Sequence, residues 1–521
     1  MESIIFHDLS NLALVTSLRR LGSGRRLPGN PQLSAARTHA PCPPTLKADL
    51  DLSPGWKGAA AVAPLSKART ALSALRADLA GEVFAPGDPG YDDARAVFNA
   101  RIDRRPAMIA RCAGQADVVR AVRFARDLDL KIAVRGGGHS VEGMAVNDNG
   151  VVVDLRRMRG VTVHPGSGAV RVEGGALIRD LDRATEPYAL ATTGGRVSTI
   201  GVGGFVLGGG SGWLERVFGL AVDNLLGAEL VTADGFTVRA SAGEHPELFR
   251  ALHGGGGNFG VATALTLRLH ELPEFSLAVV VFRPESGPEV VRRFRDVFAC
   301  GPPQAGGAVL FRTGPPAPYV PGHLVGTLLC TALITYAGPE DDLRELVRPL
   351  LTLPHDSALV AAMPYADVQC MFDVPPGLRH HWSAEYLTGL PDELIDLFCA
   401  RARAMPVPTA CRHMLVPLGG AVASGASEYP VPFRGAPWAV DAFGIWEDTA
   451  DDARVCRWVE AARADVRPWR TGAVYLNFIG DEGRDRVVAG LGTENLNRLA
   501  QVKRQYDPDN VFRYNHNVPP A

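Results

Sequence analysis

Arg135-Gly136-Gly137-Gly138-His139-Ser140 is the first of four glycine-rich stretches that decide the fold of this chain. The other three cover residues 192–204, 208–212 and 254–260. Glycines have no Cβ and adopt positive φ readily, so the backbone can wrap closely around a ligand and point several N–H donors at it. A tight turn explains one such stretch, but four together favour an extended ligand that carries phosphate groups.

The fourth stretch contains a formal G-x-G-x-x-G at Gly255, Gly257 and Gly260. A Rossmann fingerprint follows a strand and opens a helix. Here a helical pattern over residues 247–252 precedes the glycines, and a strand pattern over residues 261–269 follows them. The order is inverted, so the sequence does not predict a Rossmann domain.

Composition excludes several classes of protein. The chain has 521 residues, of which 46% are hydrophobic and 21% charged, so we expect most of it to fold. Lys plus Arg number 54 and Asp plus Glu 56, and no basic block supplies the field that nucleic-acid binding needs. The longest nearly apolar run, residues 324–337, is too short to span a membrane and is predicted to be a buried strand.

The eight cysteines are dispersed along the chain and never occur at C-x-x-C spacing. This pattern argues against a disulfide framework and against a zinc site, so no metal is expected. It is typical of proteins in a reducing compartment, and we therefore expect a cytoplasmic protein.

Hydrophobic periodicity predicts an α+β fold in two main parts. Residues 76–270 show short strands and few helices, beginning with a strand–helix–strand unit over residues 108–134. Residues 271–466 alternate long apolar strands with amphipathic helices, which predicts an antiparallel sheet backed by helices. We expect residues 1–75 to form a poorly ordered extension.

Several motifs in a fixed order resemble one known family. After R-G-G-G-H-S come G-G-G-S-G-W-L at residues 208–214, G-L-A-V-D-N at 219–224, G-G-G-G-N-F-G-V at 254–261 and Y-D-P-D-N-V-F at 506–512. This order resembles the berberine-bridge-enzyme-like FAD-linked oxidases of the vanillyl-alcohol-oxidase superfamily. The resemblance implies a bipartite PCMH-type FAD-binding domain at residues 76–270, a substrate domain at 271–466 and a C-terminal segment, 467–521, that returns to the FAD domain.

The same resemblance implies a covalently bound flavin. In that family the His of R-G-G-G-H-S is joined to the flavin 8α-methyl carbon, and the matching residue is His139. The cysteine of the family's second tether corresponds to Val197, so we expect a single bond. The residues that the resemblance places at the cofactor are Arg135, Gly136, Gly137, Gly138, His139, Ser140, Gly143, Gly195, Val197, Ser198, Thr199, Ile200, Gly201, Gly204, Gly260, Val261, Asn515 and Asn517.

Flavin oxidation of a C–H bond next to a hydroxyl or phenol needs a base for the hydroxyl proton. Tyr475 in V-Y-L-N-F resembles the family's Y-x-N motif, in which the tyrosine is that base; a strand tyrosine packed in the core is the alternative. Asp441, the only acid in the apolar pattern over residues 438–446, is a second candidate unless it faces solvent. His381 and Glu385 share one face of a predicted strand and either line the pocket or face water.

These observations predict an enzyme of specialised bacterial metabolism that oxidises a small organic molecule and passes the electrons to O₂. The alternatives are a flavin dehydrogenase with another acceptor, a flavin-dependent oxygenase and a glycine-rich binding protein without activity. Ile200 stands three residues after the second-tether position, where a residue bulkier than Val accompanies slow reaction with O₂ in the resembling family. We therefore expect slow reoxidation in air; the sequence predicts neither the substrate nor the oligomeric state.

Overall fold

The computed structural model describes residues 72–425, 429 and 431–521. Leu72–Ala521 is one of the two units into which the chain divides. The predicted N-terminal extension, residues 1–75, lies outside the described residues up to position 71. Residues 72–78 are helical, and Leu75 is buried in the same hydrophobic cluster as Met108.

Four short strands form the first sheet: β1 (Glu82–Phe84), β2 (Met108–Arg111), β3 (Ile132–Arg135) and β4 (Val151–Asp154), in the order β1-β2-β4-β3. Both β2 and β3 run parallel to β4, and β1 runs antiparallel to β2. The helix Gln115–Asp127 connects β2 to β3 as predicted, although β4 lies between these two strands in the sheet. Because β3 ends at Arg135, the first glycine-rich stretch begins at the carboxyl end of this sheet.

The second part of the chain adds β5 (Val161–His164), β6 (Ala169–Glu173), β7 (Leu190–Ala191), β8 (Leu225–Val231), β9 (Thr237–Ser241), β10 (Val261–Arg268) and β11 (His270–Glu271). Five of these strands form an antiparallel sheet in the order β5-β6-β10-β8-β9, and β7 pairs with β11. The central strand β10 begins directly after the fourth glycine-rich stretch. Each of the two sheets thus adjoins a glycine-rich loop: the first stretch follows β3 and the fourth precedes β10.

The third sheet contains β12 (Ser276–Phe282), β13 (Ala305–Thr313), β14 (Leu328–Tyr336), β15 (Ser357–Ala362), β16 (Arg379–Leu387), β17 (Arg412–Pro417) and β18 (Trp438–Trp446). Its order is β15-β12-β14-β13-β17-β18-β16, and every pairing is antiparallel. The apolar run that begins at Leu324 enters the sheet only at Leu328, because residues 322–324 form a 3₁₀ turn and Gly326 has a φ of +82°. The predicted α+β class with a helix-backed antiparallel sheet is confirmed.

One face of the seven-stranded sheet is covered by helices. These are Gly287–Cys300, Glu340–Leu351, Asp392–Arg403 and Asp452–Asp465. Side chains alternate along each strand, so Val440 packs beneath the helices while Phe443 lies on the opposite face. The opposite face is therefore free to form the wall of a cleft.

The remaining helices of the described residues are short, apart from the last one. Besides residues 72–78, they are Tyr91–Arg95, Ile178–Thr185, Val202–Leu207, Glu215–Phe218, Pro246–Ala251, Tyr365–Cys370, Arg484–Leu491 and Thr493–Tyr506. No described helix combines the length and the apolar character that crossing a bilayer requires.

A buried lysine fastens the C-terminal residues to the fourth glycine-rich stretch. Lys503 Nζ donates to the carbonyl oxygens of Asn258, at 2.7 Å, and Phe512, at 2.9 Å, and pairs with Asp507 Oδ2 at 2.6 Å. Asp507 also accepts hydrogen bonds from the backbone N–H groups of Val511 and Phe512. These contacts hold the Y-D-P-D-N-V-F motif against the fourth glycine-rich stretch and so position the residues that follow the motif.

Candidate active site

A cleft of about 360 Å³ lies between the glycine-rich loops and the uncovered face of the seven-stranded sheet. We call its two sides the loop wall and the sheet wall. The loop wall consists of cleft-lining residues within 136–140, 197–208 and 254–260. The sheet wall consists of Leu310, Trp382, Arg412, Met414, Phe443 and Ile445. Residues 475–479 and residues 512, 514, 515 and 516 also line the cleft.

The loop wall depends on direct packing of backbone against backbone. A Cβ on Gly137 would lie 2.4 Å from the backbone nitrogen of Gly201, and a Cβ on Gly201 would lie 2.2 Å from that of Gly137. Neither position has space for any side chain. These two glycines therefore hold the first glycine-rich loop against the second.

Other glycines of the loop wall are not required by packing. A Cβ on Gly204, Gly256 or Gly257 would meet nothing within 4 Å, and all three residues line the cleft. Only Gly256 of the three has a positive φ, of +63°. Bare backbone that faces open space suits the close approach of a ligand.

His139 lies where the first two glycine-rich loops meet. Its Nε2 is 3.2 Å from the Oγ1 of Thr199, and its ring stacks on Phe98 with centroids 3.7 Å apart. Burial lowers the pKa of His139 to about 4, so the ring is neutral at pH 7. A neutral imidazole keeps a nitrogen lone pair, which bond formation to a carbon electrophile requires.

The structure brings many of the predicted cofactor residues to the cleft. Those that line it are Gly136, Gly137, Gly138, His139, Ser140, Val197, Ile200, Gly201, Gly204, Gly260 and Asn515. Arg135, Gly143, Gly195, Ser198, Thr199, Val261 and Asn517 are not among the lining residues.

Two of the residues outside the lining, Arg135 and Ser198, have structural partners instead. Arg135 donates to the carbonyl oxygens of Ala94 and Ala96, at 2.8 and 2.6 Å. Ser198 donates its N–H and its hydroxyl to the two carboxylate oxygens of Asp373, at 2.8 and 2.5 Å. These contacts position the loops rather than a ligand.

Tyr475 lines the cleft immediately before the 3₁₀ turn Leu476–Phe478, so it does not lie in a strand. Its hydroxyl oxygen accepts hydrogen bonds from the N–H groups of Gly210, at 3.0 Å, and Ser211, at 3.3 Å, and from Asn477 Nδ2, at 2.9 Å. Burial raises the pKa of Tyr475, and these donors oppose that increase. Three donors around one phenol oxygen favour its ionised form.

Asp441 is only 2% exposed in β18, so the alternative of a solvent-facing strand acid is wrong. Its Oδ1 has no hydrogen-bond partner among the described residues. Burial raises the pKa of Asp441 to about 7, Arg196 lowers it and Glu215 raises it further. Arg196 and Glu215 form their own ion pair at 2.7 Å. A carboxyl group with this pKa can take up or release a proton near neutrality.

His381 and Glu385 share one face of β16, as the period of two predicts, but neither lines the cleft. Their neighbour Trp382, which does line it, points to the other face. His381 Nε2 is 3.1 Å from Glu460, and Glu385 pairs with Arg463 at 3.0 Å and with Arg486 at 3.1 Å. Both residues face the helices that cover the sheet.

Phe98 and Arg412 are among the cleft residues that the sequence prediction did not include. Phe98 stacks between His139 and His380, and Arg412 is a cation on the sheet wall. Arg412 opens the apolar run R-H-M-L-V-P, so a charged residue in a strand pattern was the available indication. Phe98 lies in a loop with no pattern of its own.

This geometry defines a class of protein, the FAD-linked oxidoreductases, and comparison with known sequences agrees. Residues 106–241 match a family described as an FAD binding domain, and residues 474–519 match one described as berberine and berberine like. The chain is 31% identical over 482 residues to (R)-6-hydroxynicotine oxidase of Paenarthrobacter nicotinovorans, covering 87% of this chain and 99% of that protein.

Further relatives extend the agreement over the whole described fold. An uncharacterised FAD-linked oxidoreductase of Bacillus subtilis, YgaK, is 28% identical, with 85% of this chain and 97% of the relative covered. The crystal structure of 6-hydroxy-D-nicotine oxidase from Arthrobacter nicotinovorans superimposes with a TM-score of 0.76 at 28% identity, over 85% of this chain and 98% of that one. The chain belongs to the berberine-bridge-enzyme-like family of FAD-linked oxidoreductases, and it is an enzyme.

Proposed function

We propose that the cleft holds FAD through a single covalent bond to His139, and that the enzyme oxidises a small organic molecule by hydride transfer to this flavin. O₂ is the proposed electron acceptor. The observation that carries the proposal is the placement of a neutral His139 in the lining of the same cleft as the open glycine backbone of Gly204, Gly256 and Gly257. A relative named as a hydroxynicotine oxidase supports a substrate of small size.

The residues of the cleft fit FAD. Gly204, Gly256 and Gly257 leave backbone open toward the cleft. Asn515 Nδ2 donates hydrogen bonds to the carbonyl oxygens of Gly257 and Phe512, both at 3.2 Å. Its Oδ1 has no hydrogen-bond partner among the described residues. A flavin ring offers an N–H donor to such an acceptor. Val197 cannot form a thioether, which leaves His139 as the single tether.

When bound, FAD accepts a hydride and so removes two electrons from the substrate. The side chains of the protein have two other roles: they orient the substrate and accept its proton. Tyr475 is the proposed base, because it lines the cleft and three donors surround its oxygen. Burial raises the pKa of its phenol, and these donors oppose that increase by stabilising the ionised form that proton transfer requires. Asp441 is the second candidate. It is not itself a lining residue, but it lies opposite the cleft-lining Met414 in register, and a pKa of about 7 suits it to accept a proton.

Tyr386 links these two candidates. Burial raises the pKa of its phenol, and the charges of Asp441 and Tyr475 raise it further, so the three groups lie within electrostatic reach of one another. The Arg196–Glu215 pair borders the same group of residues.

The acceptor depends on access for O₂. Ile200 lines the cleft, and a Cβ on Gly195 would lie 2.7 Å from Ile200 Cδ1, so this methyl group fills the space above the bare glycine. We propose that it slows the approach of O₂, because packed interiors leave few voids of that size. A dehydrogenase with another acceptor is the alternative that this contact favours, and an oxygenase is the third possibility.

We also propose a cytoplasmic enzyme of specialised metabolism. The seven cysteines in the described part of the chain are free, and Cys112, Cys330, Cys399 and Cys411 are buried. Unpaired buried thiols are typical of proteins in reducing compartments.

The test is anaerobic reduction of the purified yellow protein by a panel of metabolites, followed by visible absorbance. We expect at least one compound to bleach the flavin, and reoxidation in air to yield hydrogen peroxide. Reoxidation only by an added acceptor would favour the dehydrogenase, and incorporation of labelled oxygen into the product would favour the oxygenase. A colourless protein would contradict the proposal.

A further inference from the structure

The sheet wall carries positive charge that the described acidic side chains do not fully neutralise. Arg312 on β13 and Arg412 on β17 lie directly opposite each other in register. Each lies two residues from a cleft-lining residue of its own strand, Leu310 for Arg312 and Met414 for Arg412, and therefore shares the cleft-side face of the sheet. Arg312 is 6% exposed and Arg412 is half-buried. Like charges opposite each other destabilise a sheet, and burial increases the cost.

The hydrogen bonds of the two arginines do not remove this charge. Arg412 Nη2 donates to the carbonyl oxygen of Phe372 at 3.0 Å, and Arg312 Nη2 donates to the hydroxyl of Tyr319 at 2.5 Å. Both acceptors are neutral groups.

Among the described residues, Asp373 is the only carboxylate that raises the pKa of Arg412, whereas burial and Arg312 lower that pKa to about 10. Both carboxylate oxygens of Asp373 accept hydrogen bonds from Ser198. Two guanidinium groups and one engaged carboxylate leave a net positive charge beside the cleft. A buried charge of this kind is normally compensated by a partner.

The surroundings of Arg412 are aromatic. Arg412, Phe443 and Trp382 are neighbours in register across β17, β18 and β16. The rings of Trp382 and Phe443 meet edge to face with centroids 5.4 Å apart. The indole N–H groups of Trp213 and Trp382, which both line the cleft, have no hydrogen-bond partner among the described residues. A ligand in this part of the cleft meets flat apolar surface, unpaired donors and a cation.

We propose that the substrate carries an anionic oxygen group, such as a carboxylate, that binds Arg412, and an aromatic or other flat apolar part that packs on Phe443 and Trp382. This inference rests on the proposed function, because it names the substrate class of the same cleft. The two unpaired indole N–H groups are available to donate to a ligand, and an acid supplies acceptors for them. Arg312 and Arg412 repel a basic amine, so the substrate is an acid rather than an organic cation.

The first experiment compares two ligands of equal shape that the enzyme does not need to oxidise. The holoenzyme is titrated anaerobically with benzoate and, separately, with benzamide, and binding is followed by the shift of the flavin visible spectrum. A hydrogen bond to a charged group contributes more than one to a neutral group. We expect benzoate to bind at least about tenfold more tightly than benzamide.

Variants test whether the difference in affinity between benzoate and benzamide comes from the Arg412 side chain. Arg412→Met is expected to weaken benzoate by about tenfold or more and to leave benzamide unchanged, whereas Arg412→Lys retains part of the preference. Arg344→Met removes an exposed arginine from the helix Glu340–Leu351 and should change neither affinity. Flavin content and circular dichroism report folding, and the Lys variant keeps the test valid if the Met variant does not fold.

Equal affinities for benzoate and benzamide in the unmodified protein would overturn the inference. So would an Arg412→Met variant that alters the flavin reduction potential but keeps the benzoate affinity, since Arg412 would then act on the cofactor. If the protein holds no flavin, the proposed function fails, and calorimetric titration with the same two ligands still decides whether the cleft selects an anion.

Discussion

The loop wall presents backbone to the cleft, whereas the sheet wall presents side chains. On the loop wall, Gly137 and Gly201 pack backbone against backbone and Gly204 leaves open space. On the sheet wall, Arg412 and Phe443 stand side by side in register. A backbone surface suits a ligand that is the same in every member of a family, while a row of side chains can change with the substrate. The comparison predicts different consequences for substitutions on the two walls.

The largest effect is expected from Gly201→Ala. Its Cβ would lie 2.2 Å from the backbone nitrogen of Gly137, so the two loops must separate, and we expect loss of bound flavin together with a lower melting temperature. Gly204→Ala should keep the melting temperature of the apoprotein while reducing flavin content, because its Cβ enters open cleft. Gly166→Ala, where nothing lies within 4 Å and no cleft is near, is the matched control. A fully flavinylated Gly201→Ala protein would show that the loops need no such contact.

The next effect concerns the base. Tyr475→Phe removes the acceptor of three hydrogen bonds and is expected to slow anaerobic flavin reduction by about 10²-fold, within the usual range for loss of a general base. Flavin content should stay the same. Tyr188→Phe, at a position 51% exposed, serves as the control in the same stopped-flow measurement. An unchanged reduction rate would transfer the role to Asp441.

Ile200→Val should act on the oxidative half-reaction alone. Loss of Cδ1 opens the space beside Gly195, and we expect reoxidation by air to become at least about tenfold faster with no change in substrate reduction. Ile334→Val removes the same methyl group from the helix-covered side of the sheet and should leave both rates unchanged. Rapid reoxidation of the unmodified enzyme would contradict the proposed barrier.

The smallest effect is a pH-dependent change in stability from Asp441→Asn. Burial raises the folded-state pKa of Asp441 from 3.8 to about 7, so the folded protein holds the proton more tightly than the unfolded chain. Stability is therefore complete below about pH 4 and decreases as the pH rises toward 7. The variant should melt a few degrees higher than the unmodified protein at pH 8 and equally at pH 4. The exposed Asp485→Asn is the control, and a difference that is the same at both pH values would exclude a raised pKa.

The loop wall could be predicted from the sequence because its information is local. Four glycine-rich stretches, the first of them directly before His139, together indicate close backbone approach, and a search for that pattern finds Gly137 without knowledge of the fold. Strand periodicity likewise predicted β16 and placed His381 and Glu385 on one face. Whether that face meets the cleft or the covering helices depends on the helix Asp452–Asp465, which lies about 70 residues further along the chain, so no local pattern could decide it.

The sheet wall could not be predicted because its residues become neighbours only through strand order. Arg312 and Arg412 are opposed by the pairing of β13 with β17, which no local pattern specifies. The burial of Asp441 follows from the same sheet, which is why a solvent-facing alternative was still open in the sequence. The sequence analysis likewise predicts no helix at Thr493–Tyr506, although it identifies the Y-D-P-D-N-V-F motif whose Asp507 pairs with Lys503 of that helix.

The covalent bond at His139 is the central claim, and intact mass measurement of the acid-denatured protein tests it most directly. The account predicts that the unmodified chain gains the mass of one FAD, that it remains yellow after precipitation, and that His139→Ala shows neither property. His516→Ala, a second histidine that lines the cleft, should still carry the added mass. A denatured protein with the mass of the bare chain, and free flavin in the supernatant, would contradict the account.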